Sequence, residues 1–413
     1  MRLPTAMAPL RDRPFRLLFT GQAISLLGDG MAPVALAFAV LDATGSASDL
    51  GWVLAARSGA MVALLLVGGV IADRVSRRVV MVAADLTRVA AQAATAALVL
   101  TGTAQLWELL VLQATFGAAM ALFYPALTGL VPATVRPEAL QQANALRAIA
   151  TSGGQVVGPA LGGLVVATAG PGWALVADAL GFAVDAYFLV RLPAIAVART
   201  AGRFGRQLIE GWQAFTSRTW VWTVVVSASL GNMLFAPVMI LGPVAAKQHL
   251  GGAVGWGIIL AFFGIGSVAG GLLALRLRPA HPLRLGVLTV SLWSLPPLAL
   301  AAGWPLWPVV TAGLVGGAGL AIFNVLWETT LQRSVPREVL SRVSSYDWFG
   351  SLAFQPVGQA VAGPVSGALG SPLTLFLSGA GVVVTCLPAL AVPSVRNLAS
   401  ADPGSAASVP AEA

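Results

Sequence analysis

The residues best placed to do chemistry in this 413-residue chain are a few charges set inside apolar stretches. Asp29, Arg57, Asp85, Arg88, Arg147, Asp178, Asp185, Glu328 and Asp347 each interrupt runs of Ala, Val, Leu, Gly and Phe. A charge in such surroundings is costly unless it is paired, hydrated in a cavity or neutralised by a proton. Carboxylates so placed suit proton exchange or the neutralisation of a cation. The pattern offers nothing for covalent catalysis: there is no Gly-Lys-Ser/Thr phosphate loop, and the two histidines, His249 and His281, stand far apart. Cys386 is the single cysteine, which excludes an intramolecular disulfide and a cysteine-rich metal site. No catalytic residue, metal or cofactor is expected, and the chain does not read as an enzyme.

Each charge has a bland reading beside the functional one. Asp29 falls about 15 residues into its apolar run, close to the midplane of a bilayer at about 1.5 Å per residue. It is either a proton-coupling carboxylate or a counter-charge for a cationic substrate, or else a buried acid satisfied by Arg57, which reaches toward it from the next run. Asp85 and Arg88 stand one turn apart and read as a structural pair. Asp178 and Asp185 share a helix face two turns apart; inward hydrogen bonding is the structural reading, with Asp185 also a candidate for the proton path. Arg147 and Asp347 are candidates for gating an inner mouth, and Glu328 reads as an interfacial partner of Arg333. Asn232, Gln22, Gln113, Asn324, Tyr124, Trp256, Trp327 and Gln355 are uncharged candidates for lining a cavity.

The elements that must carry these residues follow from composition. Apolar residues make up 57% of the chain, charged residues only 10%, and the mean hydropathy is +0.84. Soluble domains are roughly a quarter charged, so the solvent is expected to be a lipid bilayer. A helix needs about 20 apolar residues to cross one. Twelve runs meet that length: 14–41, 49–72, 78–101, 105–131, 138–168, 172–192, 217–246, 253–275, 283–302, 305–331, 340–368 and 372–392. The net charge of +8 has no basic stripe interleaved with aromatics, which argues against a nucleic-acid partner. The basic residues instead cluster between alternate runs, with Lys247 alone on the other side. By the positive-inside rule both termini are expected in the cytoplasm and the protein in the cell (inner or plasma) membrane. The basic segment 1–16 feeds a run too long for a signal peptide, so no cleavage is expected there.

The expected fold is an all-α membrane protein of 12 transmembrane helices in two pseudo-symmetric six-helix bundles. The divisions are 1–192 for the first bundle, 193–216 for a cytoplasmic linker with a short amphipathic helix, 217–392 for the second bundle and 393–413 for a disordered cytoplasmic tail. An internal repeat supports the two halves. A shift of 200 positions aligns Trp107 with Trp307, Gly117 with Gly317, Phe123 with Phe323, Gly158 with Gly358 and Gly163 with Gly363. Asn232 falls near the repeat equivalent of Asp29, and Asp347 is that of Arg147. Parallel repeats with a site between them are a common plan for carriers.

Two motifs sharpen this. Gly69 to Arg78 reads Gly-Val-Ile-Ala-Asp73-Arg74-Val-Ser-Arg77-Arg78, a tight basic turn in which a small residue admits a neighbouring helix and the carboxylate faces a helix N-terminus. Gly154, Gly158, Pro159, Gly162 and Gly163 make a small-residue face interrupted by a proline. The first resembles the signature between helices 2 and 3 of the major facilitator superfamily; the second is similar to the antiporter motif of its drug exporters. With Phe15-Arg16-Leu17-Leu18-Phe19, Thr44-Gly45-Ser46 and Ala143-Asn144-Ala145-Leu146, the chain resembles the drug:proton antiporter branch that includes macrolide efflux proteins and the enterobactin exporter. Ala145 stands where the fullest antiporter motif has Gly, and the second copy of the basic turn has decayed to Gly271-xxx-Leu275-Arg276 without an acid.

The resemblance implies a monomeric secondary transporter that exports an amphipathic small molecule, such as a macrolide-like drug, another antibiotic or a siderophore, against a flow of protons. An uptake symporter for a metabolite and a non-transporting sensor or scaffold on the same fold remain as alternatives. Asp29, Arg57, Asn232 and Asp185 are then the candidates for proton coupling or the substrate cavity. Gly69, Asp73, Arg74, Arg77, Arg78, Arg147 and Asp347 are the candidates for conformational gating.

Overall fold

The computed structural model describes residues 5–193 and 204–399, and all regular structure among them is helical. The first half contains α1 (Arg13–Thr44), α2 (Ala47–Arg74), α3 (Arg77–Thr101), α4 (Leu106–Leu130), α5 (Leu140–Ala169) and α6 (Pro171–Val190). The linker helix is α7 (Phe204–Thr216). The second half follows with α8 (Thr219–Phe235), α9 (Val238–His249), α10 (Gly252–Ala274), α11 (Pro282–Val290), α12 (Leu295–Ala301) and α13 (Leu306–Ser334). It closes with α14 (Arg337–Leu352), α15 (Gln355–Leu369), α16 (Ser371–Cys386) and the short α17 (Pro393–Arg396).

Ten stretches among the described residues are long and apolar enough to cross a membrane, four of them composed of more than one helical segment. Runs expected to be continuous are broken by proline. Pro237 separates α8 from α9, the Pro296-Pro297 pair sits at the start of α12 after a 3-10 turn, and Pro356 follows the gap between α14 and α15. A proline ring removes a backbone donor and clashes with the preceding turn, so the helix restarts with a new axis. Elsewhere the ends are conventional. Gly45 and Gly102 terminate α1 and α3 in the left-handed conformation, with φ of 68° and 69°. The Ser46 hydroxyl caps α2 by accepting from the Asp49 N–H at 3.1 Å.

Helix α1 packs on α5 and α6, α2 on α4, and α3 on α4 and α6. In the second half α10 packs on α13, α8 on α14, α15 and α16, and α12 on α16. The two halves meet through α5 on α10 and α15 on α2. The sequence repeat reappears as repeated packing. Gly158 faces Gly30 of α1, and Gly358 faces Met233 of α8; Gly163 faces Ala253 of α10, and Gly363 faces Ser48 of α2. Between apolar helices in lipid, attraction comes from close packing, which residues without side chains permit.

Arg77 Nη1 donates to the Gly129 carbonyl at 2.6 Å, Arg78 donates to the Val190 carbonyl, and Arg136 lies 3.8 Å from Asp12. These bonds gather the start of α1, the α2–α3 turn and the ends of α4 and α6 at one end of the molecule, here termed the arginine-rich end. The opposite end holds the α1–α2 turn. There Lys247 pairs with Asp42 at 2.6 Å, and Ser58 donates to Gln359, both contacts crossing between the halves.

The linker helix does not stand free. Trp212 and Phe215 of α7 stack on each other and pack around Tyr346 of α14, with ring centres 5.6 and 5.9 Å away. The side chains of 204–208 and 210, within the expected amphipathic linker, lie outside the described residues. Residues 393–396, expected within the disordered tail 393–413, are helical, and Val395 is fully buried because its side chain packs into the apolar core. Residues 400–413 lie outside the described residues.

Candidate functional site

Four of the intramembrane charges of the first half, Asp85, Arg88, Asp178 and Asp185, converge on one buried network between α1, α3, α4 and α6. Asp85, Asp178 and Asp185 have no exposed surface, and Arg88 has 4%. Arg88 binds Asp85, and its guanidinium is held between two aromatic faces, 4.0 Å from the Phe123 ring centre and 4.2 Å from that of Phe182. Gln22 donates to Asp185, and Gln92 donates to Asp178 at 2.6 Å. Gln113 extends the network to Gln92 and Thr95 at 3.4 Å each. The α1 helix admits the α6 acids through glycines at the same two-turn spacing: Gly21 lies against Asp185, and Gly28 against Asp178.

Three carboxyls and one guanidinium share this space, and the Asp85 and Asp185 carboxyls lie within hydrogen-bonding reach of each other. Each leaves one buried oxygen without a protein donor, Asp85 Oδ2 and Asp185 Oδ1. An ionised carboxylate only accepts, so two carboxyls in contact are satisfied when one of them carries a proton. Asp185 thus lies in the buried network and not in the lining of the second-half cavity described below.

Asp29 and Arg57 form a second, more exposed site. Arg57 Nη2 lies 3.7 Å from Asp29 Oδ1, with side chains 18% and 25% exposed. The guanidinium rests 4.1 Å from the Phe116 ring centre and reaches the Met120 sulfur at 3.6 Å. That separation is within ion-pair range, and both side chains remain partly exposed.

In the second half, a cavity of about 450 Å³ opens between α8, α13 and α14. Asn232 and Asp347 line it. Asn232 donates to the carbonyls of Ala228 and Ser351 at 3.0 and 3.1 Å, which ties α8 to α14. Asp347 accepts from Trp327 Nε1 at 3.0 Å and from the Ser351 hydroxyl at 3.4 Å. Glu328 also lines the cavity, which corrects its reading as an interfacial partner of Arg333. It stands one turn from Asn324 on the same face of α13, so the helix turns both inward. Trp256 lies outside the cavity, buried against Gly242, and Gln22 and Gln113 belong to the buried network instead.

The small-residue motif of α5 works as a two-sided spacer. Gly154, Gly158 and Gly162 face Leu26, Gly30 and Met31 of α1, while Gly163 and the Pro159 carbonyl face α10 at Ala253 and Gly257. In the basic turn Arg77 and Arg78 cap α4 and α6, and Arg74 is exposed. The side chains of Gly69 and Asp73 lie outside the described residues. Arg147 is half-buried in the first turns of α5 and does not line the second-half cavity with Asp347. Gln92 was not singled out by the sequence, although a lone amide two turns after Asp85 on the same face of an apolar helix was the available signal.

Comparison with known proteins agrees with this architecture. Residues 4–412 match the family described as transmembrane secretion effector, a group of major facilitator proteins. The chain is 28% identical over 382 residues to the enterobactin exporter EntS of Shigella boydii serotype 18, covering 88% of this chain and 87% of that one. The same identity and coverage hold for EntS of Escherichia coli O1:K1. Among solved structures, a POT family transporter in complex with 5-aminolevulinic acid superposes with a TM-score of 0.74 at 12% identity, covering 94% of this chain and 97% of that one. A bacterial homolog of the human lysosomal transporter Spinster, inward-facing and unoccupied, gives 0.72 at 14% identity over 94% and 98%. The chain therefore belongs to the transmembrane secretion effector family, and is a multi-pass membrane transporter of the major facilitator fold, not an enzyme.

Proposed function

We propose that this transporter exports an amphipathic small molecule by alternating access, coupled to protons. The observation that carries the reading is the placement of the cavity. Its lining runs along the C-terminal half of α13, from Leu320 to Gln332, toward Arg333 and the α13–α14 turn, while polar contacts tie the two halves together at the other end. That arrangement fits a conformation ready to load from one side. The positive-inside rule puts the arginine-rich end, with both termini, in the cytoplasm of the cell that carries this inner or plasma membrane. Loading from the cytoplasm means export, in keeping with the enterobactin exporters at 28% identity.

In this reading 1–192 and 217–392 move as units joined by 193–216, and the smooth contacts of Gly154, Gly158, Gly162 and Gly163 form the surfaces over which they rock. The basic turn with Gly69, Asp73, Arg74, Arg77 and Arg78, together with Arg147 and Asp347, governs the loading mouth. The protein acts as a monomer. Proton exchange centres on the Asp85–Asp185 contact, whose shared proton is exchanged as α1 and α6 shift with each cycle. The Asp29–Arg57 pair, accessible to water, relays between that contact and the space between the halves.

The test is accumulation of a fluorescent lipophilic dye and a small macrolide panel in efflux-deficient bacterial cells expressing the protein, with and without a protonophore. Export predicts reduced accumulation that returns to the control level when the gradient is collapsed. Accumulation above the control would instead identify uptake, and no change for any compound in the panel would count against the export reading.

A further inference from the structure

The walls of the second-half cavity are more selective than an amphipathic substrate alone requires. Glu328 on α13 and Asp347 on α14 both line it, and they are close enough for their charges to interact. The groups that bond Asp347, an indole N–H and a hydroxyl, are neutral and leave its charge uncancelled. Glu328 forms no ion pair among the described residues, and no Lys, Arg or His is found among the described residues of the lining. Two like charges without a counter-ion, partly withdrawn from water, favour any cation that can enter.

The remaining walls say what sort of cation. Trp293, Phe323, Trp327 and Trp348 contribute four aromatic rings to the lining. Trp327 is fixed by Phe323, parallel at 6.4 Å, and by Trp220, edge-on at 5.6 Å, so its ring is held ready for contact. Aromatic faces attract soft, weakly hydrated organic cations, while a small hydrated metal ion gains little from them. Trp293 is 92% buried and stacks on Phe235 at 4.0 Å, which fixes its ring in the inner wall of the lining.

We propose that this cavity is a binding site for an amphipathic organic cation, its charge between Glu328 and Asp347 and its apolar body against Trp327 and Trp348. The site deepens the export reading and rests on it for the direction of movement, but not for binding. An anionic amphiphile of the same shape meets two carboxylates and no cation among the described residues of the lining, so the site selects by the sign of the charge. A volume of about 450 Å³ suits one drug-sized molecule.

Tetraphenylphosphonium and tetraphenylborate share one shape and carry opposite charges, which makes them the probes. Separate calorimetric titrations of each into the purified full chain should show the phosphonium bound at least tenfold more tightly than the borate. Glu328→Gln and Asp347→Asn should each weaken the phosphonium about tenfold without strengthening its dependence on shape. Trp348→Ala should weaken it as well; that residue is 60% exposed, so its removal leaves the core intact if a carboxyl variant folds poorly. Equal binding of the two probes, or phosphonium affinity unchanged in all three variants, overturns the proposal. Charge-selective binding without movement of the phosphonium in proteoliposomes under a pH gradient would support the site and count against export.

Discussion

Lys247 Nζ lies 2.6 Å from Asp42 Oδ1, joining the last turn of α9 to the last turn of α1 across the two halves. Both side chains are about half exposed, at 50% and 49%, so water screens the pair and its own contribution is about 1 kcal/mol or less. Its value is positional. Together with the Ser58–Gln359 bond it marks the end at which the halves are closed, opposite the arginine-rich end. A contact this weak is suited to being broken once per cycle.

Holding that closure shut should stop turnover. In a Cys386→Ala background, which removes the single native thiol, Ser58→Cys with Gln359→Cys should be bridged by a short bifunctional thiol reagent. Dye export should then fall to the control level and recover on reduction. Full export by the bridged protein would show that this end does not open during transport.

The α5 glycines make a packing prediction with an internal control. A methyl group at Gly163 would come within 2.5 Å of the Ala253 carbonyl oxygen, and one at Gly154 within 2.6 Å of that of Leu26. Gly153, the next residue along, has open space around it. Gly163→Val should therefore lose about 1–3 kcal/mol through overpacking. A lower melting temperature and loss of transport would report it, whereas Gly153→Ala should change neither. Similar melting temperatures for the two variants would contradict this account of the interface.

Removing the ionisable oxygen from the buried dyad should separate proton coupling from folding. Asp185→Asn keeps the shape and the bond from Gln22 but cannot release a proton. Movement driven by a pH gradient should fall at least tenfold, while substrate exchange across a membrane without a gradient persists. Arg88→Leu is a different lesion, because it leaves Asp85 buried without its cation, and should cost about 3–5 kcal/mol. An Asp185→Asn protein that still responds fully to the gradient would move the coupling role to Asp29 or Asp347.

Much of this architecture is legible in the sequence because lipid imposes simple rules. A crossing helix must be long and apolar, so the spans could be read as runs, and the pairing of Asp85 with Arg88 followed from helical spacing alone. The glycine and tryptophan coincidences at a shift of 200 foretold repeated packing, which Gly158 and Gly358 display against α1 and α8. Rotation about each helix axis was not legible, since an all-apolar helix has no polar face to orient it. For that reason the sequence points Glu328 to the interface and Gln22 to a cavity, and does not mark Gln92. The prolines at 237, 296, 297 and 356 were visible, but whether a membrane proline bends a helix or breaks it depends on its neighbours.

Asp29 and Arg57 supply the last prediction, because their 3.7 Å separation and partial exposure set them apart from the buried dyad. Arg57 also rests on the Phe116 ring, a contact that a guanidinium plane makes and an ammonium makes less well. Arg57→Lys should therefore keep the charge and lose part of the stacking, for about 1 kcal/mol. Asp29→Asn leaves Arg57 partly hydrated and should be tolerated by the fold. If Asp29 relays protons, that variant slows gradient-driven movement and the double variant Asp29→Asn with Arg57→Leu is no slower than the single one. If Asp29 instead meets the substrate, the single variant raises KM for cations and leaves the ratio of protons to substrate unchanged. Measuring that ratio in proteoliposomes for Asp29→Asn beside Asp185→Asn decides which carboxylate carries the proton, since only loss of the carrier alters it.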